Sequence, residues 1–327
     1  MLIRSLKSNS AVFFILIPLF VMLVWIRSFL EPGIFSFFEG ENHMPLYALF
    51  TRLLPSSILA HNLVASGLLV LLSFMILRLN AVYNFIKIRT FMPSVIFVLI
   101  VSGLISLHTL HPVYPGTLFL LLCIDRIFSA YENNRALVQS FDSGFFLSAG
   151  ALFYLPLLAF VPVIWIGFLL LRRSSEWRDF VLSLIGLALP WLFVFIWYFL
   201  HDQTGMLRCI ILQNLNTSNS LSRESLSVRI YLAFLCALTL WSSVHLLGQY
   251  DAKNISSRKY FQLFFLIFLI ALLQLFLIPS VSREILVVMA VPLTFLISNY
   301  LIEMKSRFWG NLLILLLTGL VIYLQFV

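Results

Sequence analysis

Apolar runs and short polar joints alternate along this chain almost from end to end. The runs fall at Ala11 to Trp25, Ile58 to Leu77, Pro93 to Leu107, Gly116 to Ile124, Gly144 to Leu155, Leu157 to Leu171, Phe180 to Leu200, Ile230 to Leu247, Phe261 to Ile278, Ile285 to Tyr300 and Gly310 to Phe326. An α-helix needs roughly 17 to 25 apolar residues to cross a hydrocarbon core of about 30 Å, and several runs approach that length. The two-residue alternation of a membrane β-barrel is absent from the sequence. Backbone polar groups in lipid must be satisfied inside their own segment, which leaves helices. The pattern predicts an all-α fold, a polytopic transmembrane helical bundle of about 11 spans, with residues 1–327 forming a single transmembrane domain. The first run has a signal-peptide-like basic start in Arg4 and Lys7 but continues into Trp25, Ile26 and Arg27 without a small-residue cleavage pattern, so it is read as a helix.

One apolar pattern has a different period. Leu46, Leu49, Phe50, Leu53 and Leu54 recur at helical spacing, with Thr51 and Arg52 on the other face and Pro45 and Pro55 as brackets. This predicts a short helix lying in the membrane interface rather than crossing it.

Charge decides the reading of Gly144 to Leu171, which is either one long tilted helix or two short ones turning near Pro156. Two spans put Arg4, Lys7, Arg78, Lys87, Arg89, Arg126, Arg135, Arg172, Arg173, Arg178, Lys253, Arg258, Lys259, Lys305 and Arg307 on one side. Only Arg27, Arg52, Arg208, Arg223, Arg229 and Arg283 remain on the other. One span would divide the 21 basic residues about evenly. The positive-inside bias favours the pair, with the N-terminus cytoplasmic.

Composition supports a membrane solvent, with 61% hydrophobic and 10% charged residues and mean hydropathy +1.03. The net charge of +8 follows from topology and anionic membrane lipids, so no nucleic-acid partner is expected. Cys123, Cys209 and Cys236 lack metal-ligand or redox spacing. No nucleotide-binding loop or internal repeat occurs, and the cofactor question stays open.

Candidate chemistry gathers in the loops opposite the basic side. Glu31, Glu39, Glu41 and His43 crowd the first of them, and Gly40 gives the chain freedom to turn both neighbouring carboxylates toward one pocket. Either they are solvated surface charge, or partial desolvation suits Glu39 or Glu41 to act as a general base. His108 and His111 would share a face on a helix end. They serve as interfacial anchors or, with a third ligand from Glu39, Glu41 or Asp202, as part of a zinc site; the metal is left unknown. Arg283 sits between two apolar helices, where it either pairs with Glu284 or binds a lipid phosphate. Asp202, Arg208, Arg223 and Glu224 lie in the long late loop, a lid or a connection.

This arrangement resembles the membrane-embedded glycosyltransferases of the GT-C class, over most of the chain and through loose motifs. The carboxylates Glu39 and Glu41 before the helix Leu46 to Leu54, the glycine-led broken helix from Gly144 to Arg173, and Arg283 and Glu284 before the helix containing Pro292 carry the resemblance. Glu-Gly-Glu stands here in place of the class's Asp-Glu or Asp-Asp pair. The resemblance implies a sugar donor linked to polyprenyl phosphate, Glu39 or Glu41 as catalytic base, substrate contacts from Arg283, His108, His111, Arg52 and Arg208, and a place in bacterial inner-membrane envelope glycan assembly. The Phe-, Leu- and Ile-rich style also resembles inner-membrane proteins of Bacteroidota. The alternatives from other classes are a non-catalytic scaffold or subunit with a membrane-protein partner, and a transporter.

Overall fold

The computed structural model describes every residue except 1–11, 34–43, 87, 89, 134–135, 173–175, 217–225, 250–252, 305 and 327, and the Arg307 side chain. Among the described residues all regular structure is helical. In chain order the α-helices are α1 (Phe13–Val24), α2 (Ile26–Leu30), α3 (Pro45–Arg52), α4 (Ile58–Tyr83), α5 (Met92–Ser102), α6 (Val113–Ser129), α7 (Leu137–Ala151), α8 (Val161–Leu171), α9 (Trp177–Leu200), α10 (Thr204–Asn216), α11 (Leu226–Gly248), α12 (Ile255–Leu277), α13 (Ile285–Glu303) and α14 (Arg307–Phe326). Short 3-10 turns at Ile105–Leu107 and Leu155–Phe160 join neighbours. Among the described residues six helices, α4, α9, α11, α12, α13 and α14, are long and apolar enough to cross a membrane; α1, α5 and the stretch Leu155–Leu171 are apolar but shorter.

Local chemistry sets several helix ends. Ser57 accepts the Ala60 N–H to start α4, and Asn84, in the left-handed region with φ 49°, ends it. Glu176 and Asp179 form a reciprocal capping box on α9, satisfying amides that no helical carbonyl can reach.

Hydrogen bonds sort the helix ends into two groups. At one end Tyr83 donates to the Asp125 carbonyl at 2.8 Å, and the Glu132 N–H reaches the Leu171 carbonyl at 3.4 Å. There too Arg172 pairs with the buried Asp179, and Lys253 donates to Asn299 at 2.7 Å and Glu303 at 3.0 Å. At the opposite end Trp25 donates to Ser102 at 2.9 Å, Asn62 to the Ser28 carbonyl at 2.9 Å, and Gln325 to the Ser102 carbonyl at 2.9 Å. Because Asn133, before α7, accepts from Arg172, after α8, the chain goes out along α7 and returns along the 3-10 turn and α8. The described residues Arg78, Arg126, Arg172, Arg178, Lys253, Arg258 and Lys259 all fall at the first, basic end.

A helix that is apolar all round belongs either in a protein core or against lipid, and this fold contains both kinds. In α13, 94% of the spanning window is buried, and α5, α6, α11 and α12 surround it. In α9 only 17% is buried, and Phe193, Trp197 and Phe199 face outward, an apolar surface that suits lipid and not water. α9 holds to the bundle through α7, where Gly144 faces the Ser183 carbonyl, Gly186 faces the Phe141 carbonyl, and Ser148 donates to the Leu187 carbonyl at 2.6 Å. Small residues that let backbones approach are the usual adhesive between helices in lipid.

The short helix expected over Leu46 to Leu54 is α3. Pro45 opens it at the first position, where a missing N–H costs nothing. Its apolar face divides, with Phe50 and Leu54 packed on the core while Leu49 and Leu53 face outward. Tyr47, buried on the inner side, donates to the Leu110 carbonyl at 2.9 Å.

Candidate lipid-headgroup site

The turn between α12 and α13 is built from polar residues in an otherwise apolar neighbourhood. Ile278 leaves the helix in an extended conformation, and Ser280 donates to the Asn214 carbonyl at 2.5 Å, tying the turn to α10. Glu284, fully buried, ends the turn at the N-terminus of α13. Its carboxylate accepts the Ser282 N–H at 2.8 Å, the Ser282 hydroxyl at 2.5 Å and the Tyr154 hydroxyl at 3.2 Å. These three donors satisfy the acceptor oxygens of a carboxyl group that no water reaches.

Arg283, half-buried, lies beside Ser282 in the wall of an apolar crevice of about 210 Å³ between α11, α12 and α13. Leu232, Leu235 and Cys236 line it from α11, Phe268, Leu272 and Leu275 from α12, and Leu286, Met289 and Leu293 from α13. Those last three recur at helical spacing below Arg283, so the crevice runs roughly 12 Å along α13 from Ile285 to Leu293. The walls present almost wholly apolar surface, which suits a hydrocarbon chain, and Arg283 borders them at the turn end.

His111 and Tyr154 flank this turn. The Val113 N–H donates to His111 Nδ1 at 3.1 Å, which fixes that nitrogen as the acceptor, and the ring meets Tyr154 edge-on with centroids 6.2 Å apart. His108 has other surroundings. Its ring stacks on Trp25 at 4.3 Å, its Nε2–H donates to the Ser102 carbonyl at 3.1 Å, and Nδ1 accepts from the Ser28 hydroxyl at 2.9 Å. Burial pushes the His108 imidazole down to about 4. The two histidines follow the Ile105–Leu107 turn in irregular backbone, so they do not share a helix face. Among the described residues no group of three or more His, Cys, Asp or Glu comes together as a metal site.

Arg52 is exposed at the end of α3, and Arg208 is exposed on α10; neither lines the crevice. Glu39 and Glu41 lie outside the described residues, as do Gly40 and His43. Met44, the first described residue after them, is buried and leads into α3, where the Leu46 N–H donates to the Leu152 carbonyl at 3.3 Å. The chain thus re-enters the described fold next to Leu110 and Leu152, neighbours in sequence of His111 and Tyr154. Sequence reasoning missed Tyr154 as a partner of Glu284, because 130 residues separate them and a tyrosine in an apolar run carries no signal of its own.

No protein-family model matches the chain, and no curated protein or solved structure matches it.

Proposed function

We propose that the protein is a GT-C-like glycosyltransferase of the bacterial inner membrane that takes a sugar from a polyprenyl-phosphate carrier in envelope glycan assembly. The observation that supports this reading is that Arg283 borders an apolar crevice. In this reading the isoprenoid chain lies against Leu232, Leu286 and Met289 and the carrier phosphate rests on Arg283. Glu39 or Glu41 removes the proton from an acceptor hydroxyl, whose oxygen forms the new bond to the sugar's anomeric carbon. The bond from that carbon to the carrier phosphate breaks, and Arg283 stabilises the charge left on the departing phosphate. The docking of α3 beside Tyr154 supports bringing the acidic segment to this same end of the bundle.

The finer topology belongs to the same proposal. Counting α1 with α2, α5, α6, α7 and α8 beside the six long helices gives about 11 spans, with the basic end cytoplasmic and the Arg283 end outside.

The test is sugar transfer from a pool of polyprenyl-linked donors in membranes carrying each variant. Glu39→Gln with Glu41→Gln abolishes turnover while membrane insertion persists, since Gln keeps the shape but accepts no proton. Arg283→Ala weakens donor use by about ten- to hundredfold, the loss of one charge-assisted contact. Full activity of the double glutamine variant would remove the mechanism and leave the scaffold reading.

A further inference from the structure

Helix α14 meets the bundle along one stripe, Ile314, Leu317, Val321 and Leu324, all buried, and at its outer end Gln325 donates to the Ser102 carbonyl at 2.9 Å. Toward the basic end a second cleft, of about 560 Å³, lies between α14 and α11, with α13 as its floor. Phe234 and Trp241 line it from α11, Tyr300 and Met304 from α13, and Trp309 and Leu313 from α14. No charged side chain among the described residues contributes to these walls. Trp241 is 67% and Trp309 57% exposed, so the cleft opens onto the outer surface of the bundle, where Leu240, Val244 and Leu316 are exposed as well.

Such a space is costly to leave either wet or empty. At about 30 Å³ each, many waters would fit, yet each needs two to four polar partners and apolar walls supply too few. An empty cleft would forfeit the dispersion contacts of its wall atoms. Hydrocarbon fills it without either cost, and the apolar surface onto which it opens is the one that suits lipid. Tryptophan concentrates at the boundary between hydrocarbon and water, and Trp309 stands in the first turn of α14. From Trp241 to Phe234 the wall descends roughly 10 Å along α11, the depth of the upper part of an acyl chain. We infer that this cleft binds one acyl chain of a membrane phospholipid from the leaflet at the basic end, and that the bound chain completes the packing of α14 on α11 and α13. The lipid is then a structural ligand, independent of the function proposed above.

The experiment uses the purified full-length protein in detergent and adds phosphatidylcholine brominated in the upper part of its acyl chains, since bromine quenches an indole that it touches. In the wild type, quenching of tryptophan fluorescence saturates as the cleft fills, and the melting temperature rises with it. The double variant Trp241→Phe, Trp309→Phe keeps the walls apolar, so it loses the saturable quenching and retains the rise in melting temperature. Ala237→Phe places a ring in the cleft wall and abolishes both responses, whereas Val181→Phe, on the exposed face of α9, leaves both unchanged. If Ala237→Phe fails to fold, the double variant decides the question, and saturable quenching that survives in it would overturn the site. Quenching that grows in proportion to added lipid, equally in Ala237→Phe and Val181→Phe, would mean a nonspecific lipid shell and overturn it too. A wild type that takes up no lipid but sediments as a dimer, dissociated by Ala237→Phe, would put a second copy of the chain in the cleft and overturn the lipid assignment.

Discussion

Gly144 on α7 faces the backbone carbonyl of Ser183 on α9 so closely that a Cβ could not be placed between them. The contact is reciprocated one turn on, where a Cβ at Gly186 would run into the Phe141 carbonyl. Both obstacles are backbone atoms, which cannot swing aside as a side chain can. Gly144→Ala and Gly186→Ala each destabilise the protein by about 1–3 kcal/mol, read as a lower melting temperature in detergent. Gly67 on α4 has open space around its missing Cβ, so Gly67→Ala is neutral or stabilising by about 0.5–1 kcal/mol. Equal melting of all three variants would contradict this account of the α7–α9 contact.

The reversal between α7 and α8 predicts a labelling pattern. In a background of Cys209→Ser and Cys236→Ser, which removes the two exposed thiols, Glu132→Cys and Gln203→Cys lie at opposite ends of the bundle. With the basic end cytoplasmic, as proposed above, a membrane-impermeant maleimide labels Gln203→Cys in intact cells and reaches Glu132→Cys only after permeabilisation. The opposite pattern would invert the orientation, and labelling of both in intact cells would contradict the separation of the two ends.

The division between what the sequence shows and what it hides follows the range of the interactions. Hydropathy reports solvent, so apolar segments and the short helix at Pro45–Arg52 are visible in the chain, and the excess of arginine and lysine marks one end of the bundle. That excess pointed to a broken helix near Pro156, where the structure has a 3-10 turn. Hydropathy does not separate α13 from α9, since core and lipid are equally apolar; only packing reveals that one is central and the other peripheral. The crevice was equally hidden, because its walls come from three helices. Arg283 stands out as a charge in an apolar stretch, whereas the bonds from Ser282 and Tyr154 to Glu284 depend on the tertiary fold and leave no trace in the sequence. The i, i+3 spacing of His108 and His111 carried meaning only on a helix, and the backbone there is irregular.

His108 predicts a pH dependence of stability. Its imidazole is neutral in the folded protein down to about 4, against 6.5 for an unburied group. Between those values the unfolded chain binds a proton that the folded protein does not, so stability is full above pH 6.5 and declines as the pH falls toward 4. The slope from this one group is on the order of 1.4 kcal/mol per pH unit. Melting temperatures of wild type and His108→Gln across that window check it. The variant, though less stable at neutral pH, shows a shallower decline, and parallel curves would contradict the assignment.

Cys236 lines the crevice wall beside Arg283 and so reports directly on whether the proposed phosphorylated isoprenoid binds there. In a Cys209→Ser background, with Cys123 buried, the alkylation of Cys236 by a small maleimide is followed with and without farnesyl phosphate. The expected result is that the ligand slows alkylation in a saturable manner, and that Arg283→Ala shifts the protecting concentration upward by about ten- to hundredfold. Alkylation unaffected by the ligand, or protection equally strong in Arg283→Ala, would contradict it.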